Sequence, residues 1–222
     1  MVNEIKVPSL AFRQAAPAKL QPFLNSYPLP NGPVLASDPL LAEFNAVFAD
    51  RSDLTSYSIR IDHNLTSRSQ IFGRYSNAPS SRNERAGSSV PASNVRFSDF
   101  NTRTLTLGSI WSISNNLVND LRFNYSTNKV KSSVSLDNFG GAVPVSGSAF
   151  FTTPQPYNEN NSFFTFNLIG GSHLIQNFGK SQNNEQRRYN VVENLSVVKG
   201  SHSFKFGADY RRLSPIYAPR GY

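Results

Sequence analysis

An all-β fold, an antiparallel meander of about six long strands, is what this 222-residue sequence predicts. Three observations predict it. Apolar and polar residues alternate with period two in three separate stretches after residue 54, the spacing at which the two faces of a strand differ. The connections between and within those stretches run short, long, short, long, short. The composition is 38% hydrophobic yet 12% aromatic, with 17 Phe and 9 Tyr. That balance suits a wall between an apolar medium and water better than a packed core.

Residues 1–53 come before the alternation and read as an irregular segment. Pro8, Pro17, Pro22, Pro28, Pro30, Pro33 and Pro39 break up regular structure, and two short helical turns are expected around 15–24 and 40–48. From Thr55 the first hairpin starts. Tyr57, Ile59 and Ile61 alternate with Ser58, Arg60 and Asp62, a polar turn follows at 64–68, and Ile71, Gly73 and Tyr75 alternate with Phe72, Arg74 and Ser76. Pairing His63 with Ser69 puts Ile61 beside Ile71 and Tyr57 beside Tyr75, so both apolar sets share one face.

The second hairpin sets Leu105, Leu107, Trp111 and Ile113 against Leu121, Phe123 and Tyr125 across the turn Asn115-Asn116-Leu117. Pairing Ser114 with Val118 brings Trp111 beside Leu121 and Leu107 beside Tyr125. In the third, Tyr189, Val191, Leu195 and Val197 turn at Lys199-Gly200 into Phe204, Phe206, Ala208 and Tyr210, with Gly in second place in the loop. Glu193 breaks the pattern, because this register turns it to the apolar side.

Long connections at 79–97 and 132–182 are rich in Ser, Asn, Gly and Pro; the second also carries an aromatic cluster, Phe163, Phe164 and Phe166. Short turns on one side and long loops on the other are the build of a transmembrane β-barrel, with periplasmic turns and extracellular loops. Trp111 and Phe204 lie near the short turns, while Tyr57, Tyr75, Tyr125, Tyr189 and Tyr210 lie toward the long loops. These seven are the expected membrane girdles. On the opposite face Arg60, Asp62, Arg74, Asp120, Arg122, Lys205 and Asp209 are the expected lumen-facing residues, either a ladder that holds the wall or contacts to a passing substrate. The chain is thus expected to divide into an irregular segment (1–53), a partial transmembrane barrel of three hairpins (54–214) and the start of a further extracellular loop (215–222).

Other functions find little support. The net charge of +8 is scattered, with no cluster beyond the pairs Arg187-Arg188 and Arg211-Arg212, so no nucleic-acid partner is expected. With no cysteine, disulfides and thiolate metal sites are excluded. His63, His173 and His202 have no ligand spacing, so no metal is expected. Asp62 and His63 are adjacent on a strand and point to opposite faces, which rules out a dyad. No Gly-x-Ser-x-Gly elbow and no phosphate-cradling loop is present. Neither enzymatic activity nor a cofactor is expected. No apolar run approaches the ~20 residues of a spanning helix, and residues 1–10 do not read as a signal peptide, so a barrel fragment is expected.

Several segments resemble a known family. The run from Ser56 to Leu65, Phe72-Gly73-Arg74-Tyr75-Ser76, Leu117 to Ser126, and above all Lys199-Gly200-Ser201-His202-Ser203-Phe204-Lys205-Phe206-Gly207-Ala208-Asp209-Tyr210-Arg211 are similar to strand-and-turn signatures of Oar-like TonB-dependent transporters. In the 117–126 strand, Asp120 and Asn124 depart from that signature. The resemblance implies a cell outer-membrane location and a longer parent protein with a plug domain and about 22 strands. Its implied partners are outer-membrane lipid, the missing plug and remaining strands, the TonB system and a bulky nutrient of unknown identity. An adhesin-type surface barrel that binds external partners without transport, and a soluble β-sheet binding protein, are the alternatives.

Overall fold

The computed structural model describes residues 3–85, 90–150, 157–168 and 174–217. The chain opens with strand β1 (Asn3–Pro8), helices α1 (Leu10–Ala15) and α2 (Gln21–Asn25), and strands β2 (Val34–Leu35) and β3 (Asp38–Ala46). There follow β4 (Arg51–Leu54), β5 (Tyr57–Thr66), β6 (Ser69–Arg85), β7 (Asn94–Ser114) and β8 (Leu117–Leu136). After a 3-10 turn (Phe139–Gly141) and α3 (Gly147–Phe150) come β9 (Phe163–Leu168), β10 (Leu174–Lys199) and β11 (His202–Tyr217).

The six long strands form one antiparallel meander in the spatial order β5, β6, β7, β8, β10, β11. Short β4 continues the line of β5 along β6, and β9 continues the line of β8 along β10. A barrel crossing takes ~10 residues per strand. β7 has 21 residues and β10 has 26, so both run far past that length toward the long-loop end.

Each hairpin keeps the faces that alternation assigns, with shifted pairings or turn positions. β5 runs on to Thr66, a bulge absorbs Leu65, and only Ser67-Arg68 remain as turn. Ile61 therefore opposes Gly73 and Ile59 opposes Tyr75, two residues from the expected pairing. In the second hairpin a bulge absorbs Ile113, the turn contracts to Asn115-Asn116, and Leu107 opposes Phe123 while Leu105 opposes Tyr125. A shift of two leaves every side chain on its face. In the third, Lys199 opposes His202, so the loop is Gly200-Ser201 with Gly first, at φ +60°. β11 also continues through Pro215, Ile216 and Tyr217, where a loop was expected; residues 218–222 lie outside the described residues.

The N-terminal segment is more ordered than its prolines imply. β3 stands between β1 and β2 in a three-stranded sheet, and 40–48, expected to be helical, is mostly strand. Local helix formers are overridden there because pairing with β1 sets Phe44 opposite Ile5 and Ala42 opposite Val7. Ile5, Val7, Tyr27, Leu41 and Phe44 form a core with Ala92 and Leu174 from the long-loop end of the wall.

Buried polar contacts fix this cap in place. The Arg13 guanidinium donates to the carbonyls of Pro8, Tyr27 and Pro28 at 3.1, 3.1 and 2.6 Å. Burial lowers its pKa to about 10, against a smaller opposing pull from Tyr27. Ser93 Oγ donates to the Ser26 carbonyl at 2.7 Å, and Leu29 N donates to the Gly140 carbonyl at 2.8 Å. Phe166 of β9 stacks on Phe23 with centroids 4.9 Å apart, which makes part of the Phe163–Phe166 cluster internal packing.

Candidate functional site

The candidate site is the six-stranded sheet itself, because its two faces differ chemically from the short turns up to the tyrosine row. On one face the register brings Arg60, Arg74, Thr106, Asn124, Asn190 and Arg211 into a single row across all six strands. Most of that row is hydrogen-bonded. Thr106 Oγ1 donates to Asn124 Oδ1 at 2.8 Å, Asn124 Nδ2 to Asn190 Oδ1 at 3.2 Å, and Asn190 Nδ2 to Asp209 Oδ1 at 2.5 Å. Arg211 Nη2 completes the chain by donating to Asp209 Oδ2 at 2.6 Å.

The charges on this face come mostly as pairs two residues apart on one strand. Arg60 holds Asp62 at 2.7 Å, Arg122 holds Asp120 at 3.0 Å and Arg211 holds Asp209 at 2.6 Å. Residues i and i+2 of a strand share a face and sit ~7 Å apart, within reach of an extended guanidinium. Solvent-exposed pairs of this kind are screened by water and add little stability, so their main effect is to orient side chains. Arg74 and Lys205 share the face and have no ion-pair partner among the described residues. Phe72 lies flat here, under the Arg60 guanidinium at 4.0 Å and over Gly108.

The opposite face carries Tyr57, Tyr75, Trp111, Tyr125, Tyr189, Phe204 and Tyr210, together with Ile59, Ile61, Leu105, Leu107, Leu121, Phe123, Val191 and Phe206. These apolar groups are not gathered into a core. Ile61 is 67% exposed, Trp111 51%, Leu121 42% and Phe204 47%. Water-soluble folds do not leave a contiguous apolar face of this extent bare. The tyrosines run across the strands as a band: Tyr75, Tyr125 and Tyr189 share one hydrogen-bonded row with Leu105, Tyr57 lies one row nearer the long loops on β5, and Tyr210 one row farther on β11. A level interface crossing tilted strands gives that drift. Tyr125 and Tyr189 rings pack 4.9 Å apart.

A family model described as an outer membrane beta barrel domain matches residues 6–220. The chain belongs to this outer-membrane β-barrel family. The match takes in the N-terminal cap as well as the wall. No curated protein and no solved structure matches the chain.

As an outer-membrane barrel domain, the chain places all seven expected lumen-facing residues on one face and all seven expected girdle residues on the other. Two sets of contacts escape sequence reading, the partner of Glu193 and the asparagine ladder. Glu193 remains on the apolar face, where the amide of Asn119 donates to its carboxylate. The asparagine ladder depends on cross-strand register, which alternation leaves open to shifts of two. The Arg–Asp pairs, in contrast, are spelled in the sequence as Arg60-Ile61-Asp62, Asp120-Leu121-Arg122 and Asp209-Tyr210-Arg211. Of the histidines, His63 and His202 flank short turns, and His173 lies outside the described residues. Among the described residues no three His, Cys, Asp or Glu gather to hold a metal.

Proposed function

We propose that this chain is part of the wall of an Oar-like TonB-dependent transporter that takes up a bulky nutrient across the outer membrane. The observation that carries the reading is the continuous polar row from Arg60 to Arg211 across six strands. A row of Asn, Thr and paired charges is suited to a water-filled interior that a plug can seal through hydrogen bonds. The strands β5 and β11 have free outer edges among the described residues. Further strands closing the barrel would make it wide, as a bulky solute requires. In this reading the outward partner is outer-membrane lipid, the inner partners are the plug and the remaining strands, and the TonB system supplies the energy. No covalent chemistry takes place.

The adhesin-type alternative draws on one observation: an ordered cap seated on the long-loop end, which is where an external partner would dock. Growth assays separate the two. A strain lacking the gene is compared with its complemented parent on large nutrients supplied as sole sources, each paired with its small breakdown product. The expected result is loss of growth on one large nutrient alone, reproduced by deleting the TonB system. Unchanged growth on all of them, with reduced attachment to surfaces, would instead select the adhesin.

A further inference from the structure

Above the tyrosine row, the lipid-side face of the wall turns basic. The next row toward the long loops is Asn77, Arg103, Thr127 and Arg187; then come Pro79, Asn101, Lys129 and Glu185; then Ser81, Asp99, Lys131 and Asn183. Arg103, Lys129 and Lys131 line a groove of about 540 Å3, with Asp53 and Asp99 on its other sides. The acids offset it only in part: Asp99 lines the groove opposite Lys131 in the register, and Asp53 and Glu185 are held by neighbouring bases. Asp53 is held by Arg51 at 3.2 Å, while Glu185 is shared between Arg187 at 2.7 Å and Lys129 at 3.9 Å. Arg103 and Lys131 have no ion-pair partner among the described residues.

We infer that this groove binds the phosphate of an outer-leaflet glycolipid whose acyl chains lie along the apolar rows beneath it. The inference rests on the membrane-wall reading. Height selects the lipid over free phosphate: Arg103 is two residues beyond Leu105 of the tyrosine row, about 7 Å along the strand. A headgroup anchored by chains against Leu105, Leu107 and Phe123 holds its phosphate at that level. Cations just outside an aromatic belt attract anionic headgroups. The groove also opens on the face where those chains lie, since its odd-numbered lining residues on β7 and β8 continue the parity of Leu105 and Tyr125.

The test uses the intact protein expressed in outer membranes, extracted in mild detergent, with phosphorylated glycolipid per protein counted by native mass spectrometry. The variant R103Q/K129Q/K131Q is expected to retain at least tenfold less glycolipid than wild type. A charge-matched control at residues that do not line the groove, K19Q/R68Q/K199Q, is expected to retain as much as wild type. Wild type from a host making dephosphorylated glycolipid is expected to lose it as the groove variant does. Equal retention by both variants, or of dephosphorylated lipid, would overturn the inference; so would stripping by 10 mM inorganic phosphate, which would mark a site for the free ion. Should the triple variant fail to reach the outer membrane, R103Q alone replaces it, with a threefold loss expected. Wild type missing from the outer-membrane fraction would sink the wall reading instead, so the two failures are distinguishable.

Discussion

Gly108 occupies a position where even a methyl group does not fit. A β-carbon there would lie 2.1 Å from the Phe72 ring, which Arg60 covers from the other side. Gly108→Ala therefore has to displace the ring and lose the cation–π contact, at an expected cost of about 1–3 kcal/mol in urea unfolding from detergent. Adding Phe72→Leu should recover most of that loss; a G108A variant as stable as wild type would refute the packing. In the cap, removing Arg13 leaves three buried carbonyls without a donor. Arg13→Met is expected to loosen the cap by about 3 kcal/mol, seen as faster proteolysis of residues 1–50 with the wall intact. Tyr27 gives the pH dependence. Burial raises its phenol pKa above the ordinary 10.0, and its hydroxyl has no partner among the described residues. Its stabilisation is full below pH 10 and falls above it by about 1.4 kcal/mol per pH unit, since only the unfolded phenol ionises. Arg13 has the opposite sign: burial lowers its pKa to about 10, so above that pH the unfolded chain holds the extra proton and stability rises with pH. Subtracting the tyrosinate absorbance of Tyr27→Phe from wild type isolates the phenol; it should stay un-ionised through pH 11, and titration near 10 would contradict its burial.

At the scale of single elements, alternation and turn chemistry carry different information. Period two specifies which face a side chain occupies, and it did so correctly for Ile61, Trp111, Leu121 and Phe204. It leaves register free in steps of two, and turns settle the register. Neither Ser67-Arg68 nor Asn115-Asn116 contains a glycine to mark the turn, and bulges at Leu65 and Ile113 each absorb a residue that the pattern counts as paired. Where a glycine is present, at Gly200, the turn was located to within one residue. The asparagine ladder was illegible for the same reason, as its bonds run between strands. β3 was misread because its stabilising partner, β1, lies some 35 residues upstream. Gly200 itself is a simple case: its φ is +60° and no atom lies within 4 Å of an added β-carbon. Gly200→Ala should cost about 1 kcal/mol from backbone strain alone, with Gly200→Asn between it and wild type. A loss well above that would reveal a contact the turn does not show.

For the whole molecule, the decisive property is that one sheet separates two media, and that the separation ends at a definite height. The absence of cysteine allows single cysteines to be introduced without background, at positions 97 through 111 of β7. Each carries a nitroxide, and collisions with apolar oxygen and with a water-soluble nickel chelate are compared in reconstituted bilayers. Leu105, Leu107, Ser109 and Trp111 share the apolar face, whereas Thr104, Thr106 and Ile110 share the polar one. Oxygen accessibility should therefore peak at every odd position from 105 to 111, with the chelate peaking between. Past the tyrosine row the face continues through Arg103, Asn101 and Asp99, with no apolar medium to meet. The oxygen peaks should stop between Leu105 and Arg103, and the chelate should reach both faces from there on. A strand that oscillates over all fifteen positions would place the membrane boundary higher, and the basic groove would then lie within the apolar band. A strand without any oscillation would mean that the sheet does not divide lipid from water, and the barrel-wall function would fall with it.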